Sequence, residues 1–121
     1  MSPRPDLRNV LAPLSERDGV VVALLLTRDG LPVEMVGHGV RAEVLAAEAA
    51  ALAASCRSAA ERLMLGEAED VTVSAHGYRL SCLPLGDHVL ALVLAGGEID
   101  AAMQAARGVL ADLREALGGG S

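Results

Sequence analysis

The hydrophobic pattern changes period several times along the chain, and each change marks an element. Leu7, Val10, Leu11 and Leu14 recur at helical spacing, with Asp6 placed to cap them. Pro13 removes one amide donor, so the last turn of this helix is expected to kink or shorten. Val20 to Thr27 is an apolar run without alternation, the pattern of a strand covered on both faces and placed centrally in a sheet. Asp29–Gly30 reads as a two-residue type I′ turn. The return from Leu31 carries Pro32 near its start, which suits an edge strand.

From Val40 to Leu65 the chain is rich in helix formers and has no internal Gly or Pro, and Gly66 is the expected stop. On a helical wheel Leu45, Ala49, Leu52, Cys56, Ala59 and Leu63 share one face, the one expected on the sheet. A neighbouring strip of Ala42, Ala46, Ala53, Ala60 and Met64 permits close approach by a second helix. The far side carries Glu43, Arg57 and Glu61 among Ala47, Ala50, Ala54 and Ser58. Three strand runs follow, "DVTVSA", "YRLSCLPL" and "HVLALVLA", separated only by His76–Gly77 and Gly86–Asp87. That spacing predicts an antiparallel meander. A last helix over 98–117 turns Ile99, Met103, Ala106, Leu110, Leu113 and Leu117 inward. The order, helix, two strands, helix, three strands, helix, predicts an α+β domain with helices laid on a single antiparallel sheet.

Composition narrows the function. The 121 residues fit one domain, expected over 1–117, with 118–121 as a flexible tail and 1–5 as a loose start. Tyr78 is the one aromatic residue, so the core is built from Leu, Val, Ala and Met. A net charge of −6 disfavours a non-specific grip on nucleic acid or an anionic membrane, and no aromatic platform exists for stacking bases. The apolar runs at 20–26 and 89–95 are too short to span a bilayer. Two cysteines outside any CxxC pair, and no secretory leader in the sequence, point to a reducing cytoplasm.

Candidate chemistry is sparse. His38, His76 and His88 lack the spacing of a metal site on one helix, so no metal is expected. Cys56 and Cys82 read as small buried hydrophobes rather than nucleophiles. Glu67, Glu69 and Asp70 read as a solvated turn. "GHG" at 37–39 and the glycine pair at 96–97 lack the spacing of a phosphate loop. No enzyme signature and no cofactor motif emerges. The features open to a partner are "DVTVSA", an edge-type strand without Lys or Pro to discourage pairing, and the small-residue strip of the long helix.

The succession resembles the roadblock/dynein light-chain family, and more closely its bacterial members that regulate Ras-like GTPases. The likeness starts at "GVVVALLLTRDGLPVEMVG", with Gly19, Val20, Asp29, Gly30 and Leu31 at the family's places. It continues through "RAEVLAAEAAALAASCRSAAERLMLGE" and "VTVSAHGYRLSCLPLGDHVLALVLA" into the last helix, covering roughly residues 5–117. The resemblance implies a profilin-like α-ββ-α-βββ-α fold, its five-stranded antiparallel sheet flanked by helices on both faces. It implies a homodimer whose third strands, Val71, Thr72, Val73, Ser74 and Ala75 here, pair edge to edge. Ala42, Ala46, Ala53, Ala60 and Met64 would form the helix–helix contact. Glu43, Ala47, Ala50, Ala54, Arg57 and Glu61 would face a small Ras-like GTPase, without proton transfer or nucleophilic chemistry of their own. A nucleotide-indifferent adaptor and a small-molecule sensor are the alternative functions.

Overall fold

The computed structural model describes residues 6–96 and 99–118; the expected loose start at 1–5, Gly97, Glu98 and the tail residues 119–121 lie outside them. The elements follow the order α1 (Leu7–Ser15), β1 (Val20–Thr27), β2 (Pro32–Gly37), α2 (Ala42–Arg62), β3 (Val71–Ala75), β4 (Tyr78–Leu85), β5 (His88–Ala95) and α3 (Ile99–Ala116). The strands form one antiparallel sheet in the order β2-β1-β5-β4-β3. β2 and β3 are its two edges. β1 is interior, although the middle strand is β5.

Strand alternation sorts the core into two layers. Ala23, Leu25, Leu83, Leu85, Leu90, Leu92 and Leu94 face α1 and α3. Val22, Leu24, Leu26, Cys82, Val89 and Ala91 face α2. An interior strand must supply apolar side chains to both layers, which is why β1 and β5 carry unbroken aliphatic runs.

The turns differ in chemistry. His76 and Gly77 both take positive φ, +48° and +81°, as a two-residue type I′ turn requires. Between β1 and β2 the expected type I′ turn is not formed, because only Gly30 takes positive φ, +96°. Arg28, Asp29 and Gly30 instead make a three-residue loop: Gly30 N–H donates to Thr27 O at 3.0 Å and Thr27 N–H to Leu31 O at 2.9 Å. The extra residue appears as a register shift between Leu25 and Leu26. The Asp29 carboxylate accepts from the Thr27 hydroxyl, a turn role.

Two helix ends also depart from expectation. α1 runs on through Pro13 to Ser15, with the Asp6 carboxylate accepting from Arg8 N–H at 3.0 Å. Pro13 costs that turn one donor without ending it. α2 ends before Gly66. Leu65 N–H reaches Ala60 O at 2.9 Å and Met64 N–H reaches Glu61 O at 3.1 Å, the paired bonds of a Schellman motif. Met64 occupies the left-handed position, φ +57°, that Gly ordinarily takes.

Candidate functional site

The site is built around the two flanks of α2. The sheet-facing side chains of α2 are Leu45, Ala46, Ala49 and Ala50, with Ala42 and Ala53 packed beside them. The face is therefore rotated from the one expected. Ala42, Ala46 and Ala53 of the strip lie against the chain's own sheet, Ala46 at 0% exposed, and Ala60 is buried at 9%. Neither Ala46 nor Ala60 is available to a second helix. Met64, the fifth member, is 91% exposed at the helix end. Small side chains let a helix axis sink close to a sheet, and this outweighs the larger apolar area of the leucine stripe. Ala50, expected to face a partner, is also buried.

Of the stripe expected on the sheet, Leu45 and Ala49 are buried there and Leu52 packs against the same core, while the later members turn toward one flank. Leu52 and Cys56 are half-buried, and Ala59 and Leu63 are exposed. Val73, Tyr78 and Leu80 follow the strand alternation of Val71 and Cys82, so they stand on the α2 side of the sheet. Val73 and Tyr78 are exposed. Beyond them runs the free edge of β3. Exposed Val73 and Tyr78 thus border an unpaired strand edge.

The register of β3 fixes which amides are free. Ala75 and Tyr78 flank a two-residue turn and so form a hydrogen-bonded pair. Alternation makes Val73–Leu80 and Val71–Cys82 hydrogen-bonded pairs as well. The amides of Thr72 and Ser74 therefore point away from β4. The next pair along would set residue 69 against Pro84, which has no N–H, and the ladder stops there. The Thr72 and Ser81 hydroxyls meet at 2.8 Å, satisfying the one polar side chain buried in the sheet among the described residues.

The opposite flank, with Ala54, Arg57 and Glu61, lines an open groove of about 1100 Å³. Its other walls are the Arg28 loop, the end of β4 and β5 at Leu83, Pro84, Gly86 and Val89, and Arg107, Leu110 and Arg114 of α3. Gly30 lies beside α2 here; a Cβ on it would meet Ala47 Cα at 3.6 Å and Ala50 Cβ at 3.7 Å. Glu43 and Ala47 are exposed on the same flank. A second open depression of about 410 Å³ lies at the β3–β4 hairpin. The sensor reading calls for an enclosed cavity, and both of these open to solvent.

Burial pushes the Cys82 thiol up to about 11, with neighbouring Cys56 adding to the shift. That is the reverse of nucleophile activation. Among the described residues no group of His, Cys, Asp and Glu is arranged to hold a metal. Nor is any helix among them long and apolar enough to cross a membrane.

The elements define an α+β domain built on a single five-stranded antiparallel sheet flanked by helices. The Roadblock/LC7 domain model matches residues 7–95, and the chain belongs to that family, whose members are non-catalytic regulators. A Roadblock/LC7 domain from Streptomyces avermitilis is similar at 25% identity and TM-score 0.85, covering 93% of this chain and 98% of its own. Myxococcus xanthus MglB superposes at TM-score 0.79 with 15% identity, covering 90% and 94%. The gliding protein MglB of Thermus thermophilus superposes at 0.77 with 19% identity, covering 87% and 83%. No curated protein shows significant sequence similarity to the chain.

Proposed function

We propose that the protein is a homodimeric interaction module that binds and regulates a small Ras-like GTPase. The observation that carries the reading is the free β3 edge, with Val73 and Tyr78 exposed on the α2 side of the sheet and Leu63 exposed at the end of α2. Full burial of a leucine-sized side chain contributes about 1.5–3 kcal/mol, so covering these side chains favours association. A second copy placed there by a two-fold axis joins β3 to β3 and sets the α2 flanks side by side. Val71 to Ala75 supply the strand contact. Leu52, Cys56, Ala59 and Leu63 supply the helix contact, in place of the sheet-bound alanines. The resemblance to bacterial GTPase regulators supports a GTPase as partner, held on the flank of Glu43, Ala47, Ala54, Arg57 and Glu61.

The protein acts by positioning. GTP hydrolysis is accelerated by orienting groups the GTPase already holds, and the flank offers contacts rather than acid–base chemistry. The adaptor alternative uses the same dimer without regard to nucleotide. Sedimentation at micromolar concentration tests the dimer. We expect twice the chain mass, and a return to monomer for Leu63→Asp. A monomer across the whole concentration range defeats the reading.

A further inference from the structure

The groove beside α2 has a composition that the helix flank alone does not explain. Four of the chain's ten arginines, Arg28, Arg57, Arg107 and Arg114, line it from three separate elements, in a protein whose net charge is −6. Arg107 is bonded to Asp70. Among the described residues the other three have no carboxylate partner. The reachable apolar lining is Met64 at the lip, Pro84 at the end of β4 and Leu110 of α3; Leu83 and Val89 lie beneath it, buried on opposite faces of the sheet. Glu61, Glu67 and Glu69 also line it on the α2 and loop side, where Arg57 stands one helical turn from Glu61, so the guanidiniums set apart from these acids are Arg28 and Arg114.

Pro84 lies at the mouth. Its missing N–H ends the β3 ladder, so the end of β4 that lines the groove has no strand partner on the β3 side. The volume, about 1100 Å³, is at the upper limit for a small-molecule pocket, and the site is a channel open to solvent. A flexible, polarizable Met at the lip suits an adaptable protein contact.

We infer that this groove receives an acidic, apolar peptide segment of a partner protein, with carboxylates toward Arg28, Arg57 and Arg114 and apolar side chains against Met64, Pro84 and Leu110. The inference rests on the proposed function for the partner's identity: the segment belongs to the GTPase, whose footprint extends from α2 across to α3.

The test uses the full chain and a fluorescent peptide of alternating Glu and Leu, with a Lys–Leu peptide beside it. Saturable anisotropy for the acidic peptide alone is expected, weakened about fivefold by Arg114→Glu and by raised salt. Amide shifts should centre on Leu83, Gly86 and Leu110. Arg114 is exposed and unpaired among the described residues, so its reversal leaves the fold intact. Absence of saturable binding, shifts confined to the β3 edge, or equal binding of both peptides overturns the inference. So does a self-association that Arg114→Glu abolishes, since a second copy then fills the groove. A Ras-like GTPase that binds wild type and Arg114→Glu equally overturns the groove assignment and leaves the proposed function standing. Peptide binding at the groove by a protein that no Ras-like GTPase contacts supports the groove chemistry and removes the proposed function.

Discussion

Proline placed at neighbouring positions of β3 separates the fold of one copy from its pairing with a second. The Val73 amide points inward to Leu80, so Val73→Pro removes a ladder bond within the chain. The lost bond costs about 1 kcal/mol, and the abandoned Leu80 carbonyl adds about 1–3 kcal/mol because Leu80 is half-buried. At about 4 °C per kcal/mol for a chain of this size, Tm should fall by roughly 8–16 °C. The Ser74 amide points outward, so Ser74→Pro removes nothing from the isolated chain, and an edge position tolerates the ring. Its monomer should melt within about 3 °C of wild type, near the range of a surface substitution. In the dimer the same ring occupies the pairing edge and removes a donor, at a cost of about 3 kcal/mol, which is more than a hundredfold in association. Thermal melts at high dilution, with sedimentation at micromolar concentration, read the two effects separately. If Ser74→Pro sediments like wild type as a dimer, β3 is not the pairing edge. If both variants lose the same Tm, the assigned register is wrong.

Three further expectations rest on single positions. A Cβ on Gly37 would lie 2.2 Å from Val21 O and 2.9 Å from Val22 Cα, at φ +102°; Gly37→Ala should cost about 2–5 kcal/mol and lower Tm by roughly 10–20 °C, and a loss under about 1 kcal/mol contradicts that close approach. Met64→Gly should stabilise by about 0.5–1 kcal/mol in denaturant titration, because it relieves a left-handed residue whose exposed side chain packs on little; a destabilisation would mean Met64 makes contacts in solution. The Cys82 thiol, pushed up to about 11 from an ordinary 9.0, is favoured neutral in the folded state. Its contribution is therefore fully present below pH 9 and lost as pH rises toward 11, at most about 2–3 kcal/mol, and Cys82→Ala should flatten that part of the stability curve.

The element order was legible because β1 and β5 are unbroken aliphatic runs and the two short turns after β3 and β4 leave only a meander. The face of α2 was not. In an alanine-rich helix the wheel has little contrast, and side-chain area pointed to the leucine stripe. Close approach to the sheet decided otherwise and left Cys56 and Leu63 on the flank. The β1–β2 loop differs by one residue from the expected turn, since "DG" serves both a two-residue turn and the end of a three-residue loop, and only the φ of Asp29 separates them. Met64 as a helix stop carries no sequence signal, because its left-handed conformation is set by the two capping bonds. The groove was beyond reach for another reason. Arg28, Arg57 and Arg114 are far apart in sequence and meet only after the sheet is assembled.

The most direct measurement is calorimetric binding of a Ras-like GTPase, loaded in turn with GDP and a non-hydrolysable GTP analogue, to the wild-type protein and to Leu63→Asp. Saturable binding that depends on the nucleotide and weakens when the dimer is lost is expected. Equal binding of the two nucleotide forms would identify an adaptor, and no binding of either would contradict GTPase regulation by this protein.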